Sequence, residues 1–159
     1  MPTQPTTDLC DERPDVQVCD PVFSAFGGTA AFSGRIATVA VTEDNALVRA
    51  VLERPGEGRV LVVDGGGNQR CAFFGGGLAA VAAASGWAGV VVNGAVRDVA
   101  EMADQPVGVR ALAVYPRRGA RGGDRGREGG SCRFAGVTFR EGEWLVADAD
   151  GVVVLPAAP

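Results

Sequence analysis

Histidine and lysine are both missing from this chain, and all fifteen of its basic residues are arginine. Without histidine there is no Ser-His-Asp triad, no Cys-His pair and no imidazole metal site. Without lysine there is no Schiff base and no P-loop lysine. The four cysteines, Cys10, Cys19, Cys71 and Cys132, are scattered with no C-x-x-C spacing. That argues against a zinc knuckle and predicts free thiols in a reducing compartment. No apolar run approaches the roughly 18 residues of a membrane helix, so no membrane partner is expected. The first residues, MPTQPTTDLCDERPD, lack both the basic and the apolar region of a signal peptide, which predicts a cytoplasmic protein. A catalyst made from what is left must use carboxylates, arginines, backbone amides, hydroxyls, thiols or an oxygen-bound metal.

What is present suits one domain with a real core: 159 residues, 47% of them hydrophobic and 21% charged. Residues 29–41 read as strand material broken near Ser33-Gly34. Residues 44–54 carry Leu47, Val48, Val51 and Leu52 at helical spacing and are stopped by Pro55-Gly56. RVLVVDGGG is a short apolar strand running into glycines. Residues 75–87 place a helical interior, Leu78 to Ala84, behind a glycine-rich approach, with alanines that allow close packing on a sheet. GVVVNG is the next strand, RDVAEMAD a short helix and VGVRALAVY another strand. FAGVTFREGEWLVADADGVVVLP reads as antiparallel strands joined at Glu141-Gly142 and Asp150-Gly151. The alternation predicts one α/β domain spanning residues 1–159.

Residues 116–131, PRRGARGGDRGREGGS, break the pattern. They are rich in glycine and arginine and have no apolar residue except Ala120, so they cannot form a core element. The composition resembles an RNA-binding tract, yet no aromatic residue lies within it for base stacking and the chain as a whole carries a net charge of −4. A solvated loop at about 116–131 is expected, and direct nucleic-acid binding is not.

Ligands in open α/β sheets bind beyond the carboxyl ends of strands, and both VVDGGGNQR and VVNGAVRD put polar residues there. Gly75-Gly76-Gly77-Leu78 lets a ligand approach the backbone at a helix N-terminus, a seat for a carboxylate or phosphate, although three glycines before a helix are also an ordinary loop. Arg97 can offer a planar fork to the same anion. Asp98 can ligate a hard cation such as Mg2+, and Glu101 lies on its helical face. The plainer alternative is a helix-start aspartate beside a surface arginine, and the pattern alone leaves both open.

The stretch from GRVLVVDGGGNQR through GGGLAAVAAASGW to VVVNGAVRDVAE, followed by VGVRALAVYPR and the C-terminal strands, resembles the RraA-like family, which includes the class II 4-hydroxy-4-methyl-2-oxoglutarate aldolases. The likeness extends over nearly the whole chain. It implies a swivelling β/β/α-type domain assembled as a homotrimer with sites at subunit interfaces. On matching positions it implies that Arg97 contacts substrate, that Asp98 ligates a divalent metal (Mg2+ or Mn2+) with Glu101 as the acid of an R-D-x-x-E/D motif, and that the amides of Gly75 to Leu78 hold the carboxylate of a 2-oxo acid. Aldolase members carry an acid twenty-one positions before the arginine; here that position is Gly76. Two activities follow from the resemblance: a metal-dependent lyase with oxaloacetate decarboxylase side activity, or a non-catalytic regulator that binds and inhibits a ribonuclease. Asp148 and Asp150 enter as candidate proton donors only because they sit beside a turn.

Overall fold

The computed structural model describes residues 4–119 and 126–159. The first half of the chain forms α1 (Thr6–Glu12), β1 (Gln17–Val18), β2 (Ser24–Phe26), β3 (Phe32–Val41), α2 (Ala46–Leu52), β4 (Val60–Phe74) and α3 (Gly76–Ala84). The second forms β5 (Gly89–Val96), α4 (Val99–Met102), β6 (Gly108–Val114), β7 (Gly126–Glu128), β8 (Ser131–Phe134), β9 (Val137–Arg140), β10 (Trp144–Ala147) and β11 (Val152–Leu155).

The valine runs of β4 and β5 are continuous because both sheet faces are covered. Leu61, Val63, Val90 and Val92 face the side where α2 and α3 pack. Val60, Val62 and Val91 face Ile36, Phe139 and Leu145 on the other. The result is a mixed α/β architecture in three layers: helices, a nine-stranded sheet, and the β8–β9 pair. Strands β3, β4, β5 and β6 run parallel at the centre; β10, β11 and β1 extend the sheet antiparallel on one side and β2 on the other.

Trp87 secures the helical layer. Its indole N–H donates to the carbonyls of Leu52 and Arg54 at 3.2 and 3.3 Å, satisfying acceptors left over at the end of α2. All four cysteines are free, and Cys19, Cys71 and Cys132 are buried. Burial pushes the Cys19 thiol up to about 12 and Cys132 to about 11. Among the described residues no helix is long and apolar enough to cross a membrane.

Four expectations need correction. The segment containing Ser33-Gly34 is not broken: β3 runs through it, and Gly34 is needed because a Cβ there would collide with the carbonyl oxygen of Gly58. The strand expected to stop at the glycines after Val63 continues as β4 to Phe74, with its register against β5 shifting three times. Glu141-Gly142 does not join a hairpin, because β9 pairs with β8 while β10 pairs with β3. Part of the presumed solvated loop, Gly126–Glu128, is a strand antiparallel to β3, and its backbone makes the pairing that its composition gave no reason to expect. Residues 120–125 of that segment lie outside the described residues.

Candidate site at the ends of β4 and β5

Strands β4 and β5 finish together. Phe74 pairs with Val96, and the Arg97 N–H donates to the Phe74 carbonyl at 3.0 Å. Gly75 and Arg97 therefore leave the sheet side by side, one entering α3 and the other α4. This brings Gly75, Gly76, Arg97, Asp98 and Glu101 into one place, as the sequence led us to expect. A Cβ on Gly75 would touch Asp98 Oδ2 at 3.1 Å and Arg97 Cγ at 3.2 Å. Gly76 is buried and Gly77 exposed at the start of α3, and Leu78 turns into the core.

Asp98 is the residue on which the two readings of the Arg-Asp pair differ. It precedes α4, where an aspartate normally caps the helix by accepting a backbone N–H. Its side chain makes no such bond, and its backbone is left-handed, φ 57° and ψ 44°. That conformation costs roughly 1 kcal/mol for a residue with a Cβ. The carboxylate is turned back to α3 instead: Oδ2 accepts a long bond from the Gly76 N–H at 3.4 Å and lies 3.9 Å from Arg97 Nε. The carboxylate is thus held part-exposed between Arg97 and the start of α3 and not over its own helix.

Glu101 reaches the same glycines from the other side. A Cβ on Gly76 would fall 2.5 Å from Glu101 Cδ and 2.6 Å from Oε2. Among the described residues the Glu101 carboxylate makes no hydrogen bond or ion pair. Arg97 is about a third exposed, and among the described residues its side chain makes one hydrogen bond, Nη1 to the Pro116 carbonyl, 3.4 Å long. Two carboxylates with open coordination and an under-used guanidinium thus surround one helix N-terminus.

These oxygen donors fit a hard divalent cation. No three acidic, cysteine or histidine side chains converge among the described residues, so a cation here would take Asp98 and Glu101 and fill its remaining positions with water or substrate, the mode typical of Mg2+. Upstream of the bulged part of β4, the Asn93 amide donates to Asp64 Oδ1 at 2.9 Å and links the two strands where their regular register stops.

Asp148 and Asp150 are not brought to this site. They follow β10, whose Ala147 pairs with Phe32 at the opposite end of β3. Burial pushes the Asp148 carboxyl up, but bonds from the Thr6 N–H and hydroxyl and from the Asp150 and Gly151 amides outweigh it and hold it below the ordinary carboxylate range. Asp148 is a structural acceptor.

A profile of the RraA-like family, Aldolase/RraA, matches residues 6–154. The chain belongs to the RraA-like family. Its relatives carry several names. A protein of Laribacter hongkongensis, 53% identical over 95% of both chains, and one of Deinococcus radiodurans, 48% identical over 96% of this chain and 95% of its own, are each named "Putative 4-hydroxy-4-methyl-2-oxoglutarate aldolase". The structure of the RNA-processing inhibitor RraA from Thermus thermophilis superposes with a TM-score of 0.94 at 49% identity, covering 98% of this chain and 94% of that one. A Geobacillus kaustophilus structure described as an S-adenosylmethionine:2-dimethylmenaquinone methyltransferase superposes at 0.93 with 44% identity, covering 97% and 96%. This RraA-like chain therefore has relatives named for three different activities at similar distance, and only the chemistry of its own site can choose among them.

Proposed function

We propose that the protein is a divalent-metal-dependent lyase acting on a 2-oxo acid: it cleaves 4-hydroxy-4-methyl-2-oxoglutarate to pyruvate and decarboxylates oxaloacetate as a side activity. The observation that carries this is Asp98, held in a strained left-handed conformation that withdraws it from capping α4 and aims it at the N-terminus of α3. Asp98 and Glu101 would hold Mg2+ or Mn2+. The bound cation supplies Lewis-acid stabilisation of enolate charge. The amides at Gly75–Leu78 seat the substrate carboxylate with the favourable field of the helix start, and Arg97 orients it through a planar fork.

In the aldol substrate the C3–C4 bond breaks, its electron pair becomes the pyruvate enolate, and the C4 hydroxyl gives its proton to water as the second carbonyl forms; the enolate then takes a proton from water at C3 to give pyruvate. In oxaloacetate the corresponding bond breaks with loss of carbon dioxide and leaves the same enolate. Neither path needs lysine or histidine.

The test is oxaloacetate decarboxylation by chelator-stripped protein with and without Mg2+ or Mn2+, against metal alone in buffer. Turnover that requires both protein and metal, and is lost in Asp98→Ala, is the expected result. Turnover equal to the metal-only background rejects the lyase.

A second reading, a non-catalytic regulator that binds a ribonuclease, is favoured by one observation: position 76 is glycine, where the resemblance to the aldolases implies an acid. Inhibition of a purified ribonuclease by metal-free protein is its direct assay.

A further inference from the structure

Both substrates of the proposed lyase are dianions. Each has one carboxylate beside the keto carbon and a second at the far end of its carbon chain. The amides of α3 and the fork of Arg97 account for the first. The second, once drawn out of bulk water, needs a cation or N–H groups of its own.

The path of the chain after β6 brings a cation to that place. The Tyr115 N–H donates to the Val96 carbonyl at 2.9 Å, at the end of β5. The next carbonyl, that of Pro116, accepts from Arg97 Nη1 at 3.4 Å. The Arg117 carbonyl then accepts the Ala72 N–H at 2.9 Å, and Arg118 forms a parallel bridge with Ala72. Ala72 stands two residues before Phe74, whose carbonyl accepts the Arg97 N–H. Residues 115–118 therefore pass from β5 to β4, the two strands whose ends carry the site, and Arg117 follows directly on the carbonyl that the Arg97 guanidinium touches. The Arg117 backbone is fixed by this bond to β4, while its side chain is exposed and, among the described residues, makes no hydrogen bond or ion pair. A guanidinium with an anchored backbone and no partner is suited to a planar contact with a carboxylate that arrives with the ligand.

We propose that Arg117 reads the second carboxylate, so that the site, on the lyase reading above, selects 2-oxo dicarboxylates over 2-oxo monocarboxylates. The two substrates use this contact differently. In the aldol substrate the second carboxylate keeps its charge throughout, so Arg117 stabilises ground state and transition state alike and its loss shows in KM. In oxaloacetate the second carboxylate is the one lost as carbon dioxide. A cation on it favours the ground state over the transition state and opposes the loss of its charge.

Arg117→Gln tests this, with folding checked by circular dichroism. Titration calorimetry in the presence of Mg2+ compares two probes: 2-oxoglutarate, which has both carboxylates but no C4 hydroxyl and so cannot undergo the aldol cleavage, and 2-oxopentanoate, the same carbon chain with one carboxylate. The wild type should bind 2-oxoglutarate about tenfold more tightly or better, the scale of one hydrogen bond to a charged group, and Arg117→Gln should bind the two alike. In turnover the variant should show a KM for 4-hydroxy-4-methyl-2-oxoglutarate raised about tenfold at similar kcat, and with oxaloacetate a raised KM at equal or higher kcat. A wild type that binds 2-oxoglutarate no better than 2-oxopentanoate, a variant that keeps the wild-type preference, or a kcat that falls with either substrate would each overturn the assignment. Absence of metal-dependent turnover in the wild type would instead sink the lyase reading, and the comparison of the two probes, which needs no turnover, would still decide the role of Arg117.

Discussion

The Glu101 carboxylate occupies the space that a side chain at Gly76 would need: Oε2 lies 2.6 Å from where a Cβ would sit. Glu101, the acid of the R-D-x-x-E motif, therefore lies against the position where the resemblance leads one to expect a second acid. Gly76 itself is not held in a left-handed conformation, so the obstacle to Gly76→Asp is Glu101 and not the backbone.

Exchange of the two acids follows from that contact. Glu101→Gln should weaken Mg2+ binding by at least about tenfold, the lower bound for residues supporting a metal. Adding Gly76→Asp to Glu101→Gln should recover most of the loss, because the new carboxylate enters space the uncharged amide can vacate. Titration calorimetry with Mg2+ reads both steps. A double variant no better than Glu101→Gln would separate Glu101 from the role of a residue at 76.

The strain at Asp98 can be measured apart from its chemistry. Asp98→Gly and Asp98→Ala should both lose metal affinity, yet the glycine protein should be more stable than the alanine protein by about 1 kcal/mol, since alanine tolerates a positive φ less well. Urea unfolding of the two proteins without metal gives the difference. Equal stability would mean that the turn relaxes when its carboxylate is removed.

The strands at 60–64, 89–94 and 108–114 were legible because buried parallel strands need unbroken apolar runs, and α2 was legible because Pro55-Gly56 stops a clear periodicity. The grouping of the candidate residues was legible too, because the charges of Arg97-Asp98 have no packing reason to follow a strand and they emerge beside Gly75. What escaped depends on contacts distant in sequence. Gly34 looks like a strand breaker until the Gly58 carbonyl is seen against it. The separation of β9 from β10 depends on which strands each meets, not on the turn between them. The left-handed backbone of Asp98 and the approach of Glu101 to Gly76 leave no mark on a one-dimensional pattern.

Arg110 should matter to stability out of proportion to its distance from the site. Arg110→Met removes the donor from three carbonyls and the stacking on Phe32. A loss of roughly 3 kcal/mol is expected in urea unfolding, with Arg110→Lys recovering little because an ammonium cannot reproduce the fork. A change within 1 kcal/mol, the scale of an ordinary surface substitution, would show that water replaces the guanidinium.

Acid sensitivity should trace to the Thr6–Asp148 contact. The folded-state pKa of Asp148 is depressed by the bonds from Thr6, Asp150 and Gly151, against the upward push of burial. Its contribution to stability is therefore complete above the unfolded value of about 3.9 and lost as pH falls through the lower folded value. Asp148→Asn should be less stable than wild type at pH 7, with the gap closing below about pH 4. Unfolding curves across pH 3–7 that stay parallel for the two proteins would remove Asp148 from the acid limb.

Between Asp64 and Phe74, β4 spends ten steps while its partner β5 advances three, from Asn93 to Val96. The slack lies wholly upstream of the last pair, Phe74 with Val96, where the two strands are brought level again. The bulged segment thus works as an expansion joint: a residue gained or lost between Gly65 and Cys71 is taken up before the chain reaches Gly75, and the spacing between the glycines and Arg97 is unchanged. A residue gained between Phe74 and Gly76 has no such buffer, and it would rotate the start of α3 away from Asp98. Variation in length is in this way confined to one side of a single strand pair, and the other side is held to gauge.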